Sequence, residues 1–154
     1  MMNSIELEVV ARVHGGRVEN VDDDWGSVEA EIELAAHLPE EAFIGLDAFS
    51  HAVVVFHFDL IDPEKIATGA RRPRGNPDWP SVGIFAQRGS PRPNRLGVTT
   101  VEILGVEGRT LRVRGLDAID GTPVVDIKPV MSGFEPRGAI REPDWAREIM
   151  KDYW

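Results

Sequence analysis

The sequence predicts a mainly β protein, an antiparallel sandwich or barrel followed by a C-terminal helix. About seven short segments up to residue 129 have strand-like patterns, and turn signals rich in glycine and proline separate them. The chain has 154 residues, of which 42% are hydrophobic, so one domain with a substantial core is expected.

The first two strands are predicted from alternation of apolar and polar residues. Residues 5–13 read IELEVVARV and residues 28–34 read VEAEIEL. A period of two is typical of a strand with one buried face. The segment between them is rich in glycine and acidic residues and is predicted to be a loop. Its run Asp22–Asp24 lacks the spacing of a calcium-binding loop, which favours a solvated loop tip over a metal site.

The third strand is predicted at residues 51–58, HAVVVFHF, which are apolar almost throughout and rich in β-branched side chains. Such a run favours a central strand buried on both faces. Residues 62–80 hold four prolines and two glycines, which indicates a long, partly mobile loop. Loops of this length within a compact domain are usually functional or disordered.

Four more strands are predicted in the second half of the chain. The residues EGR between two of them are a short hairpin signal, and an Asp-Gly turn precedes the last. The predicted strands are residues 82–87, 98–106, 109–115 and 124–129.

The tail EPDWAREIMKDYW has a different pattern. A proline and acidic residues stand at its start, and Trp145, Ile149 and Tyr153 recur at every fourth position. This pattern predicts a helix of about three turns that packs on the β domain or on a partner subunit.

Composition excludes several classes of function. The chain lacks cysteine, which excludes disulfides and thiolate zinc sites, and its net charge of −9 argues against non-specific binding to DNA or RNA. The longest apolar run, Ala52–Phe56, is too short to span a membrane, and the N-terminus does not resemble a signal peptide. A cytoplasmic protein with no membrane partner is therefore expected. His51 and His57 stand six residues apart, so no metal site is expected from them.

The charge of the chain is unevenly distributed. Residues 71–95 contain six arginines and one aspartate, a net charge of +5, so the remainder carries −14. Either this segment is a solvated loop face, or it is a local binding site for an anion or phosphate. A second polar segment, residues 115–129, holds three aspartates and a lysine among glycines and prolines. The two segments are interpreted either as turns crosslinked by arginine–aspartate salt bridges or as the parts of a binding site.

These segments resemble the TsaA/TrmO-like family of S-adenosylmethionine-dependent tRNA methyltransferases. The resemblance runs in the family's order through GLDAFSH (45–51), RRPRGN (71–76), VGIFAQR (82–88), RPN (92–94) and GLDAIDGTPVVDIKP (115–129). Each motif alone is weak, but the combination is specific and extends over more than half of the chain.

The resemblance implies a small antiparallel β-barrel-like domain at residues 1–138 and a helical tail at residues 139–154. It also implies a homodimer that binds S-adenosylmethionine near the subunit interface and methylates N6 of threonylcarbamoyladenosine in tRNA. The cofactor-binding residues that it implies are Asp59, Leu60, Phe85, Arg88, Arg92, Leu96, Leu116, Asp117, Ala118 and Ile119.

Roles follow from the chemistry of this cofactor. Arg88 is expected to meet its carboxylate, and Asp117 or Asp120 to accept hydrogen bonds from the ribose or the adenine amino group. Phe85, Leu96 and Ile119 are expected to sandwich the base. The catalytic candidates are Asp120 or Asp126, as the group that takes the proton of the acceptor nitrogen, and Asn94, which with Arg92 orients the cofactor or the acceptor.

The first loop and Arg95 depart from the family pattern. Relatives carry S-P-[FY]-K and R-Q in that loop, and a proline stands at the position of Arg95. Methylation of tRNA is the first hypothesis, and two alternatives remain open. One is a methyltransferase with the same cofactor and a non-tRNA acceptor, and the other is a non-catalytic barrel that binds a nucleoside-like ligand.

Overall fold

A closed six-stranded barrel is the centre of the computed structural model, which describes residues 3–154. The strands of this part of the chain are β1 (Ala11–His14), β2 (Glu29–Leu34), β3 (His51–His57), β4 (Ala70–Arg71), β5 (Val82–Gly83), β6 (Leu96–Glu107), β7 (Thr110–Arg114) and β8 (Pro123–Pro129). The barrel closes in the order β1-β2-β7-β6-β3-β8, and all of its pairs are antiparallel. Strands β4 and β5 pair with each other outside it. The mainly β, barrel-like fold predicted from the sequence is confirmed.

Short helices connect the strands. The α-helix of the described residues, α1 (Asp144–Ile149), lies near the C-terminus, where a helix was predicted. No helix within residues 3–154 is long and apolar enough to cross a membrane. The 3-10 helices are Glu40–Phe43, Leu46–Ala48, Pro63–Lys65, Pro73–Gly75, Ile84–Ala86, Pro93–Arg95 and Ser132–Phe134.

Alternation along the strands fills the barrel interior. The inward side chains of β2, β3, β6 and β7 include Ile32, Val54, Val101 and Leu111, each no more than 1% exposed. Buried apolar surface of this kind is the main stabilising contribution to the fold. The β6–β7 hairpin predicted at EGR is present, because Glu107 pairs with Thr110 across a two-residue turn.

The strand predicted at residues 5–13 is wrong over most of its length, since β1 covers only Ala11–His14. Strand β2 offers pairing partners only as far as Leu34, opposite Ala11. Val10 still forms backbone hydrogen bonds with Ala35 and with Val124 of β8, so the pairing stops there, and Ile5 further back is 84% exposed.

Strand β3 is at the predicted place, but its burial differs from the prediction. Its inward residues are buried, whereas Val53, Val55 and His57 are half-buried on the outer surface. A barrel wall has one packed face, so an apolar run does not require burial on both faces.

The strand predicted at residues 82–87 is also wrong beyond β5. A 3-10 turn at Ile84–Ala86 ends it, and β5 pairs only with β4. The long loop predicted at residues 62–80 contains β4 and two 3-10 turns. The C-terminal helix is shorter than three turns, because α1 has six residues and the chain beyond it pairs with the first loop through its backbone.

Candidate functional site

One end of the barrel brings the predicted site residues together. Strands β1, β3 and β7 end there and β2, β6 and β8 begin there, because neighbouring strands are antiparallel. Three connections lie at this end, residues 15–28, 58–95 and 115–122, and we call it the loop rim. All predicted site residues belong to the last two connections except Leu96, the first residue of β6 at the same end, and Asp126, which lies within β8.

Backbone carbonyls fix the three arginines of residues 88–95 in the loop rim. A carbonyl holds a guanidinium in place without neutralising its charge, and it occupies only part of the five N–H donors. These hydrogen bonds run from Arg88 Nη2 to the Val98 carbonyl (2.6 Å), from Arg92 Nη1 to the Gln87 carbonyl (2.6 Å) and from Arg95 Nη1 to the Ile61 carbonyl (2.7 Å).

The positive charge of residues 71–95 is therefore largely uncompensated. Within residues 3–154, Arg74 alone among the six arginines of this segment forms an ion pair, with Asp23 at 3.0 Å. The interpretation in which Arg88 and Arg92 crosslink turns by pairing with aspartates is not what the structure shows. The acidic first loop is solvated at Asp22, as predicted, while Asp23 is drawn into the pair with Arg74.

The Gln87 side chain links two parts of residues 71–95, which we call the arginine segment. Gln87 is 8% exposed and donates from Nε2 to the carbonyls of Arg71 and Val82, both at 2.9 Å. The Nε atom of Arg71 is buried without a hydrogen-bond partner in the described chain. An orphaned buried donor is costly and rare, so it marks this segment as one that a further acceptor would complete.

The RPN motif forms a tight left-handed turn. Asn94 has φ of 63° and Arg95 has φ of 49°, and the Arg95 carbonyl accepts from the Phe58 amide at 2.8 Å. Proline is locked near −65°, so the residue that replaces the family's proline is one that this turn can accommodate. The Asn94 side chain is exposed at the loop rim.

The apolar residues predicted at the site divide into two groups. Leu60 and Phe85 are 76% and 79% exposed, and Asp59 is exposed beside Leu60 in the turn after β3. Leu116 and Ala118 belong instead to the barrel core and leave only their backbone for a ligand. The half-buried Leu96 and Ile119 lie between these extremes, so the sandwich of the base by Phe85, Leu96 and Ile119 stays a prediction.

Asp117 is held by two hydroxyl groups. Thr99 donates to Oδ1 and Tyr153 donates to Oδ2. Burial of Tyr153, and then the negative charge of Asp117, raise the pKa of the phenol well above its usual range. The positive charges of Arg74 and Arg88 act in the opposite direction on this pKa.

The two other aspartates occupy different surroundings. Asp120 Oδ1 accepts from the Gly15 amide at 2.9 Å, which joins the 115–122 connection to the first loop. Asp126 lies on the outer surface of β8, where its Oδ2 is 3.1 Å from Lys128 Nζ. Of the two, only Asp120 lies in a connection of the loop rim.

The sequence predicted that the C-terminal tail packs on the β domain or on a partner subunit, but its backbone pairing with the first loop was missed. Amides of residues 24–26 donate to the carbonyls of residues 152–154 at 2.8–3.1 Å, and Trp79 Nε1 donates to Glu148 at 2.7 Å. The repeat of Trp145, Ile149 and Tyr153 did signal a packed face, since all three are half-buried. A second signal was Gly26, where a Cβ would lie 2.3 Å from the Trp154 carbonyl oxygen.

Comparison with known proteins gives the family of this chain. The family model described as the tRNA-methyltransferase O N-terminal domain matches residues 23–135. The chain belongs to this family. The match includes all predicted site residues and ends before α1, so Tyr153 lies outside the family domain.

Individual relatives agree with this assignment. The chain is 38% identical over 119 residues to a probable S-adenosyl-L-methionine-binding protein of Methanothermobacter thermautotrophicus, covering 74% of this chain and 78% of that protein. It is 34% identical over 105 residues to the human tRNA (adenine(37)-N6)-methyltransferase, covering 68% of this chain and 23% of the human protein. A crystal structure of TrmO from P. aeruginosa shares the fold, with a TM-score of 0.75, 23% identity, and coverage of 94% of this chain and 63% of that one.

Proposed function

We propose that this chain is an S-adenosylmethionine-dependent methyltransferase that acts on adenine in tRNA, at N6 of threonylcarbamoyladenosine. The observation that carries the proposal is the loop rim, where fixed and largely unneutralised arginines share one end of the barrel with the Asp117 carboxylate. The name of the human relative supplies the reaction class, and the name of the archaeal relative supplies the cofactor. The chain spans only about a quarter of the human protein, so the activity of that whole protein enters here as part of the proposal.

The donor and acceptor groups of the rim fit the cofactor. Arg88 keeps N–H groups free for the cofactor's carboxylate, since a backbone carbonyl takes only one of its five. Asp117 uses two of about four lone-pair positions on Thr99 and Tyr153, and the others remain for ribose hydroxyls or the adenine amino group. Phe85, 79% exposed, offers a face for the base.

The arginine segment fits a tRNA backbone. Its net charge of +5 stands out from an otherwise acidic chain, and phosphate binding depends on such local positive charge. The Arg74–Asp23 pair removes one negative charge from the acidic first loop where that loop faces the arginines. Attraction to phosphates is therefore confined to one part of the rim.

The cofactor supplies a methyl group on a positively charged sulfur, and the transfer to nitrogen is an in-line displacement. Arg88, Arg92 and Asn94 hold the reacting groups in line, and such positioning accounts for much of the rate of this kind of reaction. A carboxylate accepts the proton that leaves N6. We favour Asp120 over Asp126, because Asp120 lies in a connection of the loop rim, whereas Asp126 lies within β8 on the outer surface beside Lys128.

A homodimer is part of the proposal. The exposed side chains of Leu60 and Phe85, with Val98 at 45% exposure, form apolar surface beside the arginines. Burial of such surface against a second copy would close the cofactor site from one side. A solution mass equal to one chain of 17.1 kDa would contradict this part alone.

Calorimetric titration with S-adenosylmethionine and S-adenosylhomocysteine tests the cofactor. Both are expected to bind in the micromolar range, and Arg88→Ala is expected to weaken binding at least tenfold, about 1.4 kcal/mol. Arg137→Ala is the matched control, since Arg137 is exposed beyond the far end of β8 and should leave the dissociation constant unchanged. If neither compound binds, the proposal is wrong.

Transfer of a labelled methyl group to bulk tRNA tests the acceptor. Label in adenosine beside the anticodon is the expected result, and it should disappear when the tRNA lacks the threonylcarbamoyl group. Cofactor binding with label only in other molecules would favour a non-tRNA acceptor. Cofactor binding without any transfer would favour a non-catalytic nucleoside-binding barrel.

A further inference from the structure

We propose that Tyr153 in the C-terminal tail is a positioning residue of the cofactor site, whose hydroxyl orients the Asp117 carboxylate toward the ligand. This inference rests on the proposed function, because Asp117, which Tyr153 contacts, is a residue that we propose to bind the cofactor. The family domain ends at residue 135, so the assignment adds a part of the chain that the family match does not include.

The tail is delivered to the site by its backbone. Three consecutive amides at residues 24–26 donate to three consecutive carbonyls at residues 152–154. The Glu148 carboxylate accepts from Trp79 Nε1 at 2.7 Å, and this bond anchors α1 to the connection of residues 58–95. Neither contact needs the Tyr153 hydroxyl, so that hydroxyl is free to act on Asp117.

Asp117 is restrained from two sides. Thr99 belongs to the barrel wall and is 6% exposed, whereas Tyr153 reaches Asp117 from the tail. One hydroxyl on each oxygen fixes the plane of the carboxylate. Both donors are neutral, so Asp117 keeps its negative charge and two lone-pair positions for a ligand. A ligand then meets an acceptor that is already oriented, which lowers the entropy lost on binding.

The Tyr153 hydroxyl remains a donor over the physiological pH range. Burial and the Asp117 charge raise the pKa of this phenol, so it keeps its proton. Arg88 donates to the carbonyl of Val98, the residue before Thr99, so Asp117 lies beside the arginine that we assign to the cofactor carboxylate. The tail thus contacts the side of the cofactor site that holds Asp117.

The test compares three variants by titration with S-adenosylhomocysteine. Tyr153→Phe and Thr99→Val each remove one hydroxyl from Asp117, and each is expected to raise the dissociation constant about threefold to tenfold. Glu148→Ala removes the bond from Trp79 but keeps the three backbone bonds of residues 24–26 that hold Tyr153 in place, so its dissociation constant should stay within twofold of the wild-type value. Circular dichroism confirms that each variant is folded before titration.

Each outcome decides the matter. Weaker binding in Tyr153→Phe but not in Glu148→Ala supports the positioning role. Unchanged binding in Tyr153→Phe, or equal losses in Tyr153→Phe and Glu148→Ala, overturns it, since a merely structural contact would behave in this way. Tighter binding in Tyr153→Phe also overturns it and would show that the hydroxyl occupies the place of the ligand. Absence of binding by the wild-type protein is a separate result, which overturns the proposed function and this role together.

Discussion

Gly97→Ala is expected to destabilise the protein by about 1–3 kcal/mol, the usual cost of overpacking a core. Gly97 lies at the start of β6, where a Cβ would be 2.5 Å from Phe56 Cζ and 2.9 Å from Phe58 Cζ. Carbon atoms pack at about 3.5–4.0 Å, so the Phe56 ring would have to move by about 1 Å. It has little room, because Phe56 is 1% exposed and packs edge-on against Phe58 with ring centroids 5.2 Å apart.

Thermal unfolding followed by circular dichroism measures the effect. For a chain of this size, 1 kcal/mol corresponds to about 2–4 °C in Tm, so Gly97→Ala should lower Tm by roughly 2–12 °C. Gly105→Ala is the control in the same strand, since its Cβ would meet no atom within 4 Å and its φ is not positive. Its Tm should stay level or rise slightly, because alanine restricts the unfolded chain. Equal Tm values for Gly97→Ala and the wild type would refute the packing argument.

Three further predictions concern the loop rim. Gly26→Ala should release the tail, because its Cβ would lie 2.3 Å from the Trp154 carbonyl oxygen. Limited proteolysis should then cleave the tail faster than in the wild type. Gly133→Ala is the control, since a Cβ there would have open space around it, and it should not change the rate of cleavage. Asp120→Asn should lower kcat for methyl transfer by about 10²-fold or more, with little change in cofactor affinity. Asp126→Asn should lower kcat less. A larger loss of kcat in Asp126→Asn than in Asp120→Asn would exchange the two assignments. The raised pKa of Tyr153 favours its neutral form in the folded state, so this contribution to the free energy of unfolding is complete below pH 10 and declines as the pH rises above it. Tyr153 is the single tyrosine of the chain, so tyrosinate absorbance should appear only with unfolding, and an ordinary titration near pH 10 in the folded protein would contradict the prediction.

The sequence allowed most of the barrel to be predicted, because alternation reports which face of a strand is buried. Residues 28–34 and 109–115 were placed within about one residue of β2 and β7. Alternation does not report whether a neighbour exists. Residues 5–9 alternate too, yet the backbone pairing stops at Val10, which bonds to Val124 and Ala35. The run at residues 82–87 failed for the same reason, since β5 lies outside the barrel.

The candidate site was predictable as a set of residues but not as an arrangement. The resemblance supplied Arg88 and Asp117, the chemistry of the cofactor and acceptor added Asp120, and antiparallel topology then gathers their connections at one end of the barrel. The hydrogen bonds of the arginines to carbonyls were not predictable, because any residue can supply a carbonyl. The contact between Tyr153 and Asp117 was not predictable either, because it depends on backbone pairing between two segments that are distant in sequence.

The carbonyl bonds of Arg88, Arg92 and Arg95 have a consequence for how these positions tolerate substitution. A free arginine loses about 0.5–1.5 kcal/mol of rotational freedom when a ligand immobilises it, whereas these three have already lost it on folding. Lysine would keep the charge at each position but has a single ammonium group on a flexible stem. It could not hold a carbonyl and present a planar set of donors to a carboxylate or phosphate at the same time. Replacement of arginine by lysine therefore keeps the charge but not the function of these positions. The three arginines present donors whose orientation is already fixed in the folded protein.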